Sequence, residues 1–160
     1  MTSLLPPTVL YAEDDENDAF FMRRAFTKMG GRHSLWIVSD GLRAVEYLSG
    51  EGEYADRSKF PFPISLLLDI KMPVMSGLLK WVRGRPEFSA LRVVMFTSST
   101  QPADLAFCAA HGANAYLVKS SNADELSKLI PQLLPSVASG SLDGGRRAVP
   151  GNQLPDARDG

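Results

Sequence analysis

The sequence lacks the features that mark membrane proteins, disulfide-stabilised proteins and proteins that bind polyanions. Its single cysteine, Cys108, cannot form an internal disulfide. No apolar run approaches the ~20 residues of a transmembrane helix, and the N-terminus does not combine a basic region with an apolar stretch of signal-peptide length. The 17 Lys and Arg are balanced by 18 Asp and Glu, so no charge excess favours nucleic acid. We therefore expect a soluble, cytoplasmic protein that binds neither membranes nor nucleic acid.

The sequence does contain enough apolar residues for one globular domain. About 44% of its 160 residues are hydrophobic, which suits a single core of common size. Residues 139–160 contain five glycines and two prolines, and they have too few large apolar side chains to offset the entropy of ordering. We predict a folded domain over residues 1–137 and a flexible tail over residues 138–160.

Short apolar runs alternate with segments of helical spacing. The runs are rich in β-branched and aromatic residues, as in strands buried on both faces. They span residues 8–12, 34–38, 64–68, 92–96 and 115–118. Strict alternation of strand and helix predicts an α/β fold, with a doubly wound five-stranded parallel sheet and helices on both faces. Residues 50–63 show no period, so we predict a long loop before the third strand.

Polar side chains follow the predicted strands. Glu13 and Asp14 come after the first strand, Asp69 follows the leucines of the third, Thr97 ends the fourth, and Lys119 follows the fifth. The carboxyl ends of parallel strands meet at one rim of the sheet, so these groups converge there. An unpaired buried carboxylate is costly, so Asp69 is expected to reach solvent, contact a cation or bind a metal.

Four motifs carry a resemblance to a known family. They are "YAEDDEND", "LLLDIKMPVMSG", "VMFTSS" and "GANAYLVKSS". Together they resemble the receiver domain of bacterial two-component response regulators over about residues 6–130. The long loop and the segment "VMFTSSTQPADLAFCAAHGANAYLVK" are most similar to the small single-domain regulators associated with bacterial phytochromes. The resemblance implies a flavodoxin-like sheet of order 2-1-3-4-5 and a sensor histidine kinase as partner, with a bacterial phytochrome as the candidate kinase.

The resemblance also implies a phosphoacceptor and a metal site. Asp69 would accept the phosphoryl group, and Asp14 and Asp69 would bind Mg²⁺ directly. Glu13 would act on the metal through water, and the backbone carbonyl of Lys71 would complete the protein ligands. A carboxylate that attacks an anionic phosphoryl donor needs a divalent cation to offset the charge, and magnesium prefers oxygen ligands.

Three further residues take roles from the same resemblance. Lys119 would balance the remaining negative charge, and Thr97 would donate a hydrogen bond to a phosphoryl oxygen. Thr97 and Tyr116 would form a conformational switch, in which the aromatic ring turns into space that the hydroxyl leaves. Ser120 follows Lys119 where the family usually has proline, so the placement of the lysine amine stays open.

Two other functions remain open. A metal-dependent aspartyl phosphatase also uses an Asp nucleophile and magnesium, but its usual Asp-x-Asp is absent because Lys71 occupies the second acidic position. An interaction module that works without phosphorylation is favoured by Ser120 alone. We predict that the protein catalyses only its own phosphorylation and dephosphorylation and is otherwise not an enzyme.

Several polar residues are given structural roles instead. Asp15 or Asn17 is expected to cap the first helix. Neither His33 nor His111 has metal-ligand spacing, so both are expected at the surface. Cys108 is expected to pack in the interior.

The last apolar segment predicts an association surface. Its apolar positions have helical spacing, but Pro131 and Pro135 interrupt it, and an internal proline costs about 3 kcal/mol. We therefore expect the last helix to kink or stop near Ile130, leaving apolar side chains uncovered. By resemblance we predict a two-fold homodimer, with folding back onto the domain as the alternative. The predicted interface residues are Leu126, Leu129, Ile130, Leu133, Leu134 and Val137.

Overall fold

The computed structural model describes residues 6–69, 75–119 and 123–133. The strands are β1 (Thr8–Ala12), β2 (Ser34–Val38), β3 (Ser65–Leu68), β4 (Arg92–Thr97) and β5 (Ala115–Val118). The α-helices are α1 (Glu16–Lys28), α2 (Gly41–Ser49), α3 (Met75–Arg83), α4 (Pro102–Ala110) and α5 (Ala123–Leu133). No helix within the described ranges is long and apolar enough to cross a bilayer. The predicted tail, residues 138–160, lies outside these ranges.

All five strands are parallel, in the order β2-β1-β3-β4-β5. Val9 of β1 pairs with Leu35 on one side and with Ser65 on the other. The strand order reverses at β1 and β3, where the connections leave toward opposite faces and open a crevice at the strand ends. The predicted fold and strand order are confirmed.

The core lies in two layers because successive strand side chains point to opposite faces. Leu10 and Leu66 pack with α2, α3 and α4 on one face, while Tyr11 and Leu67 pack with α1 and α5 on the other. Cys108 of α4 is fully buried in the first of these layers, as expected of a packing residue. Helices therefore cover both faces of the sheet, and the polar side chains predicted for the site lie at the ends of the strands.

Asp15 fixes the start of α1. Its carboxylate accepts hydrogen bonds from the backbone N–H groups of Asn17 at 2.8 Å and Asp18 at 3.2 Å, which makes Asp15 the N-cap. Of the two predicted capping residues, Asp15 is the one that caps. The cap holds the first turn of α1 against the end of β1.

The two histidines lie at the surface but are only partly exposed. Both side chains are partly buried. The ring of His111 stacks on Phe107 with centroids 4.0 Å apart, and its Nδ1 lies 2.8 Å from the Phe107 carbonyl oxygen. Burial lowers the pKa of His33 below its ordinary value. Both histidines therefore reach the surface with part of each side chain covered, and neither prediction is contradicted.

The long segment before β3 is more ordered than its sequence pattern predicted. It contains a short 3₁₀ helix at Gly52–Tyr54. Tyr54 and Phe60 are buried, and their rings pack against Tyr47 of α2 at centroid distances of 5.0 and 6.0 Å. Arg57 donates to the carbonyl oxygen of Leu48 at 2.9 Å, which anchors the segment to the end of α2. The predicted loop is therefore held against α2 by packing of its aromatic rings.

The last helix continues past the expected stop. α5 includes Pro131 and runs to Leu133, so the expected stop near Ile130 is wrong, and the other expected outcome, a kink there, stays a prediction. Leu126 and Ile130 are buried in the layer that α1 shares with α5, and this packing holds the turn despite the missing N–H.

The burial of Leu126 and Ile130 removes two residues from the predicted dimer interface. Leu126 and Ile130 lie in the core of their own domain, whereas the side chain of Leu129 is partly exposed. Leu134 and Val137 lie outside the described residues, as does the side chain of Leu133. Of the predicted interface, Leu129 is therefore the described side chain that a second copy could reach, and the dimer stays a prediction.

Candidate functional site

Lys119 lies at the centre of the polar rim, one residue beyond β5. Its Nζ is 2.7 Å from Glu13 Oε1, 2.6 Å from Asp18 Oδ2 and 2.8 Å from Asp69 Oδ2. A lysine ammonium group has three N–H donors, and each donor here has a carboxylate acceptor. The structure therefore brings Glu13, Asp69 and Lys119 together, and it adds Asp18, to which the sequence analysis gave no role.

The cluster is largely removed from solvent. The side chain of Lys119 is 10% exposed, that of Asp69 is 9% exposed, and that of Glu13 is fully buried. Burial alone lowers the pKa of the Lys119 amine, but the hydrogen bonds that it donates to Asp18, Asp69 and Glu13 outweigh burial and raise the pKa above its ordinary value. The amine therefore stays charged at neutral pH, and it is a cationic partner for Asp69.

The carboxylate of Glu13 is held in place by a hydrogen bond from Tyr11 of β1. The Tyr11 hydroxyl donates to Glu13 Oε1 at 2.7 Å, and the backbone N–H of Asp15 donates to Oε2 at 3.1 Å. Burial and the hydrogen bond to Glu13 raise the pKa of Tyr11, so its phenol remains a donor. The sequence analysis missed Tyr11 because it reads as a core residue, although residues two apart share a face of a strand.

The predicted metal ligands are only partly assembled. Asp14 is exposed beside the buried Glu13, and Lys71 lies outside the described residues. In the described part of the chain, no three His, Cys, Asp or Glu side chains form a ready-made metal site. The donor types nevertheless fit magnesium, which takes carboxylate oxygens and keeps several waters. The metal assignment stays a prediction.

Thr97 and Tyr116 are connected through Ser99. The hydroxyl of Thr97 accepts a hydrogen bond from the Ser99 backbone N–H at 3.2 Å, and the hydroxyl of Tyr116 donates to the Ser99 carbonyl oxygen at 2.8 Å. The Ser99 hydroxyl donates to Asp104 in the first turn of α4. Thr97 and Tyr116 are fully buried. Ser99, which the sequence analysis did not single out, therefore connects the predicted switch residues to α4.

Backbone hydrogen bonds align the strand ends that carry these groups. The N–H of Lys119 donates to the carbonyl oxygen of Thr97 at 2.8 Å, and the N–H of Glu13 donates to that of Val38 at 2.9 Å. Lys119 and Thr97 therefore lie next to each other at the ends of the neighbouring strands β5 and β4. This arrangement can bind and stabilise an anionic group next to Asp69.

Comparisons with known proteins point the same way. Residues 9–131 match the family described as the response regulator receiver domain. Response regulator Rcp1 from Synechocystis is 30% identical over 127 residues, which cover 78% of this chain and 84% of that protein.

Three solved structures share the fold. A response regulator in red light signaling of R. palustris, RPA3017, is 30% identical with a TM-score of 0.74, covering 82% of this chain and 99% of that one. The phosphorylated cyanobacterial phytochrome response regulator RcpA is 26% identical with a TM-score of 0.69, covering 78% and 89%. The Mn²⁺-bound form of Rcp1 is 28% identical with a TM-score of 0.69, covering 82% and 100%.

Proposed function

Because this chain belongs to the response regulator receiver domain family, we propose that it accepts a phosphoryl group on Asp69 from a sensor histidine kinase. The observation that carries the proposal is the Lys119 amine, 2.8 Å from Asp69 and also bound to Glu13. Proteins similar to this chain include a phytochrome response regulator and one in red light signaling. A bacterial phytochrome is therefore the kinase that we propose as partner.

The proposed reaction is a phosphoryl transfer between two side chains. A carboxylate oxygen of Asp69 attacks the phosphorus of the kinase phosphohistidine, and the P–N bond breaks with its electron pair going to the imidazole. The product is an acyl phosphate on Asp69. The Lys119 ammonium donates to the transferring group, and the Thr97 hydroxyl turns to donate to a phosphoryl oxygen. No external substrate is turned over, which distinguishes this chemistry from a phosphatase.

Magnesium is the proposed cofactor. Asp14, Asp69 and the Lys71 carbonyl would hold the ion, with Glu13 acting through water. The bound ion would offset the negative charge that donor and acceptor bring together. Carboxylate oxygens of the kind that magnesium prefers and the Mn²⁺-bound form of Rcp1 support this assignment.

The proposed output is a shift in the segment between β4 and α4. When the Thr97 hydroxyl turns toward the phosphoryl group, it gives up the hydrogen bond from the Ser99 N–H. The Tyr116 hydroxyl donates a hydrogen bond to the Ser99 carbonyl oxygen. This hydrogen bond therefore changes when the segment that contains Ser99 moves. Phosphorylation would then shift the balance between two arrangements of this region.

The experiment compares wild type, Asp69→Asn and the exposed-loop variant Asp56→Asn. Each is incubated with acetyl phosphate, with magnesium or with EDTA, and the intact proteins are weighed. We expect one phosphoryl group on wild type and Asp56→Asn, only with magnesium, and none on Asp69→Asn. Equal modification of all three variants would contradict the assignment. Release of inorganic phosphate from a phosphomonoester, p-nitrophenyl phosphate, well beyond the protein concentration would indicate a phosphatase, and absence of any adduct with acetyl phosphate would indicate an interaction module.

A two-fold homodimer is a separate proposal. Its described contact is the partly exposed Leu129 of α5. Sedimentation velocity of the full chain and of Leu129→Ser, each with and without acetyl phosphate, tests it. A full chain that stays monomeric under both conditions contradicts the dimer.

A further inference from the structure

Asp18 makes a contact that the family resemblance did not assign. It lies in the first turn of α1, three residues after the capping Asp15. Its Oδ2 is 2.6 Å from the Nζ of Lys119, and its side chain is 34% exposed. Asp18 therefore joins α1 to the end of β5 at the open side of the cluster.

The three acceptors of the Lys119 amine differ in what else they do. Glu13 Oε1 also accepts from Tyr11 at 2.7 Å, so its position is fixed independently of the lysine. Asp69 is the group that would be modified, and its oxygens change their bonding when a phosphoryl group is attached. Asp18 lies outside the proposed phosphoacceptor and metal set. It can therefore hold the amine in both states of Asp69.

We propose that Asp18 is a positioning residue, whose carboxylate holds the Lys119 amine beside Asp69 before and after phosphoryl transfer. The inference rests on the proposed function of Asp69. Of the three N–H donors of the amine, the one directed at Asp69 can serve a phosphoryl oxygen, while those directed at Glu13 and Asp18 keep their acceptors. A well-placed donor accelerates the transfer because it needs no reorganisation.

A simple charge effect must be separated from positioning. An acid in the first turn of a helix also interacts favourably with the helix dipole. Glu16 is an exposed acid in the same turn of α1, outside the Lys119 cluster. Glu16→Gln therefore removes the same charge from nearly the same place and is the matched control for Asp18→Asn.

The first test requires no phosphorylation. Heteronuclear NMR of the lysine ammonium groups, assigned with Lys119→Met, detects amines that are protected from exchange by ion pairs. We expect the Lys119 signal to shift and exchange faster in Asp18→Asn, and to be unchanged in Glu16→Gln. An unchanged signal in Asp18→Asn would overturn the contact, whether or not Asp69 is a phosphoacceptor.

The second test measures the rate of modification by acetyl phosphate at saturating magnesium. We expect Asp18→Asn to be about tenfold slower than wild type, Glu16→Gln to change by less than about twofold, and Asp18→Glu to recover part of the rate. In the Lys119→Met background, Asp18→Asn should add less than about a further twofold. An equal loss with and without Lys119, or a loss no larger than that of Glu16→Gln, would overturn the positioning role. If wild type itself is not modified, the proposed function fails and the NMR result still decides the contact.

Discussion

Lys119 and Arg83 are two cations held near opposite ends of the sheet by different kinds of acceptor. Lys119 is bound by three carboxylates. Arg83, at the end of α3, donates to Gly112 O at 2.8 Å, Phe88 O at 3.2 Å and Asn114 Oδ1 at 2.7 Å, all of which are neutral. Arg83 thus ties α3 to the turns that precede β4 and β5.

The difference supports the proposal that Lys119 has a functional role, whereas Arg83 has a structural one. Neutral carbonyl groups satisfy a guanidinium without repelling one another, so the Arg83 contacts only stabilise the fold. Three carboxylates that share one ammonium group repel each other, and the fold must tolerate that repulsion. A site that tolerates such a cost is expected where chemistry requires it.

The largest expected effect comes from removing the two cations in turn. Lys119→Met leaves buried carboxylates without the amine, and breaking a buried ion pair in this way costs about 3–5 kcal/mol. Arg83→Met leaves neutral acceptors without a donor, which costs about 1–3 kcal/mol. Urea unfolding of both variants at neutral pH measures the two losses. A larger loss for Arg83→Met than for Lys119→Met would contradict the comparison.

A smaller effect is expected at Gly112, on the Arg83 side. Its φ of 91° is strained for any residue with a Cβ, and a Cβ there would lie 2.9 Å from Cγ of Arg83. Gly112→Ala should cost about 2–4 kcal/mol of the free energy of unfolding, from backbone strain and overlap together. The control is Gly31→Ala, with φ 81° and no heavy atom within 4 Å of the added Cβ, which should cost about 1–2 kcal/mol.

A double variant isolates the contact with Arg83. When Gly112→Ala is introduced into Arg83→Ala, the overlap disappears and only the backbone strain remains. The added cost should then fall to that of Gly31→Ala. An undiminished cost in the Arg83→Ala background would show that the guanidinium stem does not restrict this turn.

A group buried away from both cations gives a third, smaller effect. Burial raises the pKa of the Cys108 thiol from 9.0 to about 12. Because the raised pKa keeps the folded thiol neutral while the unfolded thiol ionises, stability is lost as pH rises from about 9 toward 12. Between pH 8 and pH 10 the loss from this group should be on the order of 1 kcal/mol. Urea unfolding of wild type and Cys108→Ala at both pH values measures it, and equal pH dependence of the two proteins would contradict it.

Most of the fold could be predicted because apolar periodicity reports burial directly. The bounds of β1, β2 and β5 agree with the predicted runs, while β3 begins one residue later and β4 ends one residue later, at Thr97. The pattern failed where tertiary packing decided the outcome. The burial of Tyr54 and Phe60 depends on α2, and the continuation of α5 depends on contacts with α1.

The site was predictable only in part, for a related reason. Strand order brings residues at strand ends together, so the meeting of Glu13, Asp69 and Lys119 followed from topology and motif. Asp18 resembles any acid at a helix N-terminus, and Tyr11 resembles any strand aromatic. Their contacts depend on the rotation of α1 against the rim and on the facing of β1. Packing sets the rotation of α1, and the two-residue spacing of Tyr11 and Glu13 indicated only that their side chains share a face.

The smallest expected effect is also the one with an unusual sign. Removing an acceptor from a buried hydrogen bond normally lowers stability, and Asn114→Ala, which removes acceptors of Arg83 and of the Val93 N–H, should cost about 1–2 kcal/mol. Asp69→Asn also removes a charged acceptor of Lys119, but it relieves repulsion among the three carboxylates. We expect its free energy of unfolding without magnesium to equal that of wild type or to exceed it by up to about 1 kcal/mol. Urea unfolding in EDTA measures both variants, and a loss at Asp69→Asn as large as that at Asn114→Ala would mean that the carboxylates, like the neutral acceptors of Arg83, mainly stabilise the fold.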